Sequence, residues 1–294
     1  MSRVAANGIE IEYETFGSPG DPAFLLVNGF TSQLTNWETG MCEMFAARGR
    51  YVIRYDNRDV GLSTHLEGQP APIGELTRAL TGGTPLPAIA YTLSDFAADG
   101  MALLTALGIE QAHIAGVSMG GMIVQAMAIE HPHRVLTLTS IMSRTGEHQY
   151  GKSSPEANAA LMAAPLSERG AYIEQSLIGR RLWGSPRYFD ADYERERLGR
   201  DYDRMFYPQG AGRQMAAIMA SPPRTEGLQN LRVPTLVIHG RADQLITLSG
   251  GERTAELVPG ANLLVMNDMG HDLPRPLWPL LVDAMMSHQT HAIA

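Results

Sequence analysis

The chain has 294 residues and a formal net charge of −8 at pH 7. Its hydrophobic fraction of 44% and charged fraction of 18% are typical of a globular protein with a large buried core, and they exclude a disordered chain. A net negative charge without a basic stripe repels phosphate backbones, so we expect no nucleic-acid partner.

Cysteine content and hydropathy bear on the cellular compartment. Cys42 is the only cysteine in the sequence, so no internal disulfide can form. It lies in a predicted amphipathic helix at 37–45, where we expect a buried structural thiol. Residues 1–8 show no signal-peptide pattern, and no apolar run approaches the roughly 20 residues that cross a bilayer. We therefore expect a cytoplasmic protein that does not bind membranes.

The first half of the chain alternates short apolar strands with amphipathic helices. Residues 9–16 alternate with the period of a half-exposed strand, and continuous apolar runs typical of fully buried strands follow them. The predicted strands of this half are 9–16, 23–27, 51–55, 112–117 and 135–141. Helices are predicted at 93–107, with Ser94 as N-cap and Gly108 after its end, and at 122–129. This βαβ series predicts a mostly parallel central sheet flanked by helices.

The strand pattern stops at residue 143 and resumes after Pro234. Residues 143–231 are predicted to be helical, and the remaining strands and helices are predicted at 235–239, 251–257, 262–266 and 276–287. We expect a core domain of residues 1–142 and 232–294, with a helical cap domain of residues 143–231 inserted after the strand at 135–141, which is expected to be the sixth strand of the fold. Ligands of such sheets bind beyond the carboxyl ends of the strands, which the cap would cover.

The segment Gly116-Val117-Ser118-Met119-Gly120 has the pattern of a nucleophile elbow. The pattern alone is weak, but here it follows a predicted strand and precedes a predicted helix. So tight a reversal strains the serine backbone and requires small neighbours, which Gly116, Gly120 and Gly121 supply. Ser118 is therefore the candidate nucleophile; the alternative is a glycine-rich turn with an incidental serine.

A serine hydroxyl needs a base to take its proton, and the base needs an acid to orient it. On this architecture the chain order is serine, acid, histidine. Among nine histidines, His271 combines a loop position, the carboxyl side of a predicted strand and a place after Ser118. Asp243 also follows a predicted strand and is the candidate acid, with Asp268 as the alternative, whereas Asp56 precedes the serine.

These motifs carry a resemblance to the α/β-hydrolase superfamily over nearly the whole chain. The chain is most similar to the serine carboxylesterase and lipase-like members that include aclacinomycin methylesterase. The matching segments are 27–30, 54–63, 116–121, 240–243 and 270–271. The resemblance implies a catalytic triad of Ser118, His271 and Asp243. It also implies an oxyanion hole formed by the backbone N–H groups of Phe30 and Met119.

Two positions depart from the pattern of the superfamily. Asn28 stands where most members have histidine, and Arg58-Asp59 replaces the usual Arg-Gly. We interpret Asp56, Arg58 and Asp59 as a structural charge cluster rather than as catalytic groups, because buried ion pairs commonly serve architecture.

The leading functional hypothesis is hydrolysis of carboxylic esters through an acyl-enzyme. The expected substrate is a small-molecule ester with an apolar moiety. The chemistry needs no cofactor, and no residues have the spacing of a zinc site. The same triad also serves carbon–carbon bond hydrolases, aminopeptidases, acyltransferases and cofactor-free perhydrolases, so these remain alternatives. A non-catalytic ligand-binding receptor on the same fold is the alternative from another class.

Substrate selection is expected to depend on the cap. Trp183, Phe206 and Met215 are candidates to line an apolar pocket, although each could equally belong to the internal core of the cap. Both a monomer and a homodimer are compatible with the sequence.

Overall fold

The computed structural model describes residues 2–291, and within them eight strands form one sheet. The strands are β1 (Ser2–Ala6), β2 (Ile9–Phe16), β3 (Ala23–Val27), β4 (Tyr51–Tyr55), β5 (Ala112–Val117), β6 (Val135–Ile141), β7 (Thr235–Gly240) and β8 (Asn262–Met266). Their order across the sheet is β1-β2-β4-β3-β5-β6-β7-β8. The β1–β2 and β2–β4 pairs are antiparallel and the others are parallel, so the predicted mostly parallel sheet is confirmed.

Helices cover both faces of the sheet and continue between β6 and β7. Those of the core are α1 (Thr39–Ala46), α2 (Ile73–Gly82), α3 (Leu93–Ala106), α4 (Met119–Glu130), α10 (Ser249–Leu257) and α11 (Trp278–His291). Those between β6 and β7 are α5 (Pro155–Met162), α6 (Arg169–Trp183), α7 (Ala191–Arg204), α8 (Gln209–Ala220) and α9 (Thr225–Gln229). The helical insertion therefore follows the sixth strand, as predicted.

The central strands are buried on both faces, which explains their continuous apolar runs. In β3, Leu25 and Val27 face the apolar layer beneath α3 and α4, whereas Phe24 and Leu26 face the layer beneath α1 and α11. Cys42 lies in this second layer with no solvent exposure. Burial raises the pKa of its thiol to about 12, so the expected buried structural thiol agrees with the structure.

Helix α3 begins at Leu93, as predicted, but its N-cap differs from the prediction. The helix begins one residue before Ser94, and Thr92 is its N-cap, with the Asp95 carboxylate accepting a hydrogen bond of 2.7 Å from the Thr92 N–H. Ser94 instead donates its hydroxyl hydrogen to Glu130, so its assignment as N-cap is wrong. Gly108 ends the helix with a positive φ of 72°, as expected.

Between residues 2 and 291, no helix has both the length and the apolar character required to cross a membrane.

Candidate active site

Ser118 occupies the turn between β5 and α4. Its backbone has φ 57° and ψ −120°, a region that residues with side chains rarely adopt. The Ser118 N–H donates to the Ile141 carbonyl at 2.9 Å, and the Ser118 carbonyl accepts from the Ser143 hydroxyl at 2.8 Å. The end of β6 and the loop that follows it therefore hold the strained turn that the sequence motif predicts.

Two glycines allow this turn to pack against the sheet. A Cβ atom at Gly120 would collide with the Val27 carbonyl on the adjacent strand. A Cβ atom at Gly116 would collide with the Gly120 carbonyl across the turn. Only glycine fits at both positions, which explains why the motif around Ser118 has small residues there.

His271 lies in the loop after β8, at the carboxyl edge of the sheet. Its Nδ1 atom is 2.7 Å from Oδ2 of Asp243, and both side chains are buried. The backbone N–H of His271 donates to the Trp183 carbonyl at 2.6 Å, which ties this loop to the end of α6. His271 and Ser118 line the same cavity.

The surroundings of Asp243 favour its ionised form. Its Oδ1 atom accepts hydrogen bonds from the backbone N–H groups of Leu245 and Ile246, at 2.8 and 2.9 Å. Burial opposes ionisation, but the interactions with His271 and His239 outweigh it and hold the pKa of Asp243 below its ordinary value. An ionised carboxylate at this place keeps a proton on Nδ1 of His271 and leaves Nε2 able to accept one.

His239, at the end of β7, is a neighbour of this pair that the sequence analysis did not select. It is fully buried, with Nε2 2.8 Å from the Ile246 carbonyl and 3.5 Å from Oδ2 of Asp243. The only sequence signal was its position four residues before Asp243 at a strand end.

The alternative acid, Asp268, lies away from the imidazole. Its Oδ2 atom is 2.8 Å from Nη1 of Arg187, and both side chains are exposed. The structure therefore brings Asp243, and not Asp268, into contact with His271.

Phe30 and Met119 line the cavity beside Ser118. Met119 is the first residue of α4, so its N–H belongs to the helix end that lacks an acceptor within the helix and carries partial positive charge. Phe30 lies in the turn after β3, and this turn is fixed by a 2.8 Å hydrogen bond from the Thr31 N–H to Gln214 of α8.

Asn28, which replaces the usual histidine, is fully buried in the same turn. Its side-chain amide donates to the Tyr55 carbonyl at 3.4 Å, and its backbone carbonyl accepts from Asn57 at 3.1 Å. These contacts tie the turn to the segment that follows β4.

Two carboxylates of the charge cluster bind arginines from the inserted helices. Oδ2 of Asp56 is 2.8 Å from Nη2 of Arg204, at the end of α7. Asp59 accepts two hydrogen bonds from Arg213 of α8, at 2.7 and 2.8 Å. Arg58 instead pairs with Asp99 inside the core, with both bonds at 2.6 Å. These contacts support the structural interpretation of the cluster.

A cavity of about 900 Å³ lies between the carboxyl edge of the sheet and the inserted helices. Trp183, Phe206 and Met215 all line it. A separate small apolar cluster within the inserted helices contains Ile173, Leu177 and Leu198. The three pocket candidates therefore face the cavity and lie outside this cluster.

Comparison with known proteins identifies the family of this chain. A family model described as alpha/beta hydrolase fold matches residues 22–274. The chain therefore belongs to the α/β hydrolase fold family, which confirms the resemblance inferred from its motifs.

Particular relatives extend over nearly the whole chain. A rhodomycin D methylesterase of Streptomyces sp. (strain C5) is 27% identical, over 94% of this chain and 93% of the relative. The 3-oxoadipate enol-lactonase 2 of Acinetobacter baylyi is 24% identical, over 90% of this chain and 87% of the relative. The crystal structure of the enol-lactonase from Burkholderia xenovorans LB400 is similar in fold, with a TM-score of 0.74. Its identity to this chain is 22%, and the match covers 98% of this chain and 100% of that chain.

Proposed function

We propose that this hydrolase cleaves carboxylic esters of small molecules through an acyl-enzyme. Ser118 is the nucleophile, His271 the general base and acid, and Asp243 the carboxylate that orients the imidazole. The observation that carries the proposal is the strained Ser118 turn, which lines the same cavity as His271, itself 2.7 Å from the buried Asp243 carboxylate. The names of a methylesterase and an enol-lactonase among the relatives support ester chemistry.

The first half of the reaction releases the alcohol. The Ser118 hydroxyl oxygen attacks the ester carbonyl carbon while Nε2 of His271 takes the hydroxyl proton. The backbone N–H groups of Phe30 and Met119 bind the oxyanion of the tetrahedral intermediate; losing one such donor typically costs about 10² to 10³ in rate. His271 then returns the proton to the departing alkoxide, leaving the acyl group on Ser118.

The second half releases the acid and restores the enzyme. His271 removes a proton from water, the resulting hydroxide attacks the acyl carbonyl, and the proton passes to the Ser118 oxygen as the carboxylic acid departs. Asp243 stays ionised throughout and stabilises the imidazolium that forms in each half. The cycle requires no metal or organic cofactor.

We further propose that residues 143–231 act as a cap domain on a core of residues 1–142 and 232–294. Trp183, Phe206 and Met215 would contact the apolar moiety of the substrate, because all three line the cavity that contains Ser118. A cytoplasmic location and a monomeric or homodimeric state remain predictions.

A chain-length series of p-nitrophenyl esters, from acetate to dodecanoate, tests this function. The wild type should hydrolyse part of the series, and Ser118→Ala should lose about 10⁴ or more in kcat. Ser94→Ala, a surface serine bonded to Glu130, is the matched control and should retain full rate. Equal rates for wild type and Ser118→Ala would defeat the mechanism.

A fluorophosphonate probe separates an enzyme from a binding protein. The wild type should be labelled at Ser118, because the probe requires an activated serine. Labelling without turnover of any ester would move the assignment to carbon–carbon, amide or peracid chemistry. A wild type that is not labelled would favour the non-catalytic receptor.

A further inference from the structure

Arg144 lies on the loop directly after β6 and lines the same cavity as Ser118 and His271. The preceding residue, Ser143, donates its hydroxyl hydrogen to the Ser118 carbonyl at 2.8 Å. The backbone at Arg144 is therefore fixed beside the nucleophile turn. Because Arg144 also lines the cavity, its side chain can contact a bound substrate.

The guanidinium of Arg144 is unpaired in the part of the chain that the structure describes. Within residues 2–291, it makes no hydrogen bond, ion pair or ring contact. Burial lowers its pKa, and no neighbouring carboxylate opposes this effect. Arg224 donates to the Arg144 backbone carbonyl at 2.8 Å, and burial, followed by the charge of Arg144, lowers the pKa of Arg224 to about 10. The positive charges of Arg144 and Arg224 therefore lie close enough to repel each other.

The other arginines that line the cavity lie near carboxylates. Arg180 is 3.8 Å from Glu194, and Arg197 is 3.3 Å from Glu194 and 3.7 Å from Glu38. Arg144 is half-buried at the wall of the cavity, so its guanidinium is partly desolvated without a counter-ion, and an anion that binds it there offsets this cost. The unpaired state of Arg144 is thus the arrangement expected of a site completed by a ligand.

A second cation lines the same cavity. Lys152, the only lysine in the sequence, is exposed and has no partner within the described residues. Its solvent exposure weakens its interaction with an anion, so Arg144 is the principal candidate.

We propose that Arg144 binds a carboxylate of the substrate, so that the substrates are small-molecule esters carrying a second, ionised acid group. This inference rests on the proposed ester hydrolysis. A planar guanidinium donates two parallel hydrogen bonds to a carboxylate, which fixes the orientation of the ligand as well as binding it. Apolar contacts from Trp183, Phe206 and Met215 are suited to the hydrocarbon between the ester and the acid.

Two methyl esters of similar length test this specificity: monomethyl adipate, which carries a carboxylate, and methyl hexanoate, which ends in a methyl group. The measured quantity is the ratio of their kcat/KM values. Arg144→Gln should lower the ratio about tenfold to a hundredfold, because hydrogen bonds to a charged group contribute about 1.5 to 3 kcal/mol. Arg144→Lys should retain part of the preference, because it keeps the charge but not the planar fork.

Controls separate this effect from a general one. Arg78→Gln removes an exposed arginine of α2 outside the cavity and should leave the ratio unchanged. The thermal unfolding temperature of Arg144→Gln should equal or exceed that of the wild type, because no partner is lost and an uncompensated charge is removed. A ratio that does not change in Arg144→Gln, whether both rates fall together or neither falls, would overturn the proposal.

A binding measurement distinguishes this inference from the proposed function. Calorimetric titration of monomethyl adipate into Ser118→Ala requires no turnover, so it remains informative even if neither ester is hydrolysed. Adding Arg144→Gln to this variant should weaken binding about tenfold or more. Equal affinity of Ser118→Ala and the double variant would refute the carboxylate site. If the double variant binds more weakly but the wild type hydrolyses neither ester, only the ester function is refuted.

Discussion

Asp243 approaches His271 through one carboxylate oxygen only. Oδ2 lies 2.7 Å from Nδ1 of His271, while Oδ1 accepts the backbone N–H groups of Leu245 and Ile246. The backbone therefore fixes the carboxylate, and the carboxylate in turn fixes the plane and the tautomer of the imidazole.

The first prediction concerns the tautomer of His271. Asp243→Asn should lower kcat for ester hydrolysis roughly 10⁴-fold, because an amide that donates to Nδ1 leaves the proton on Nε2, where a base is needed. Asp268→Asn, which removes an exposed partner of Arg187, is the matched control and should retain the wild-type rate. Steady-state kinetics on the best ester of the series provides the measurement. Comparable losses in the two variants would contradict the assignment of Asp243.

The second prediction compares a buried with an exposed ion pair. Arg213→Met leaves Asp59 buried without its counter-ion and should lower the free energy of unfolding by about 3 to 5 kcal/mol. Arg195→Met removes the exposed partner of Glu174 and should leave the urea midpoint nearly unchanged. Urea unfolding of both variants provides the measurement. A midpoint for Arg213→Met equal to that of Arg195→Met would show that the buried pair does not stabilise the fold.

The third prediction concerns pH and His113 of β5. Burial, followed by the charges of Arg50 and His288, lowers the pKa of His113 to about 4, below the ordinary 6.5. Between these values the unfolded chain binds more protons, so stability is full above 6.5 and falls as pH decreases towards 4. The loss attributable to this residue is up to about 3 kcal/mol.

Replacing the imidazole tests this dependence. His113→Gln keeps a hydrogen-bonding group near Thr137 but cannot titrate, so its urea midpoint should fall less between about pH 7 and pH 4.5 than that of the wild type. His133→Gln, at an exposed position, should reproduce the wild-type slope. An unchanged slope in His113→Gln would place the acid sensitivity elsewhere.

The fourth prediction concerns Cys42. Its pKa of about 12 and full burial keep the thiol protonated, so the native protein should not react with a disulfide reagent such as 5,5′-dithiobis(2-nitrobenzoate). The unfolded protein should react at this single thiol. Rapid reaction of the native protein, followed by absorbance, would contradict the structural role.

The sequence predicted those strands whose signal is local. Ala23–Val27 and Ala112–Val117 are continuous apolar runs, and the buried strands lie where these runs indicated. Ser2–Ala6 has no such run; it becomes β1 because it pairs antiparallel with β2, and only the folded partner provides those hydrogen bonds. The N-cap of α3 was assigned to the wrong residue because Thr92 and Ser94 are both acceptable N-caps, and the position of Asp95 favours Thr92.

Site residues were predictable where chain order and strand ends carry information. Ser118, Asp243 and His271 each follow a strand, so the topology of the sheet gathers them at one edge. By contrast, the approach of His239 to Asp243 depends on where the side chains lie. The lack of a partner for Arg144 within residues 2–291 depends on the same. Side-chain positions of this kind are set only in the folded chain, and no periodicity in the sequence encodes them.

The contacts of Asp56 with Arg204 and of Asp59 with Arg213 constrain the engineering of this protein. A chimera that replaced α7 and α8 with the corresponding helices of another hydrolase would leave two buried carboxylates without counter-charge. Such a transplant would have to bring an arginine to both places or convert both aspartates to neutral residues. The segment after β4 is remote in sequence from α7 and α8. It nevertheless determines which helices of another hydrolase could replace them.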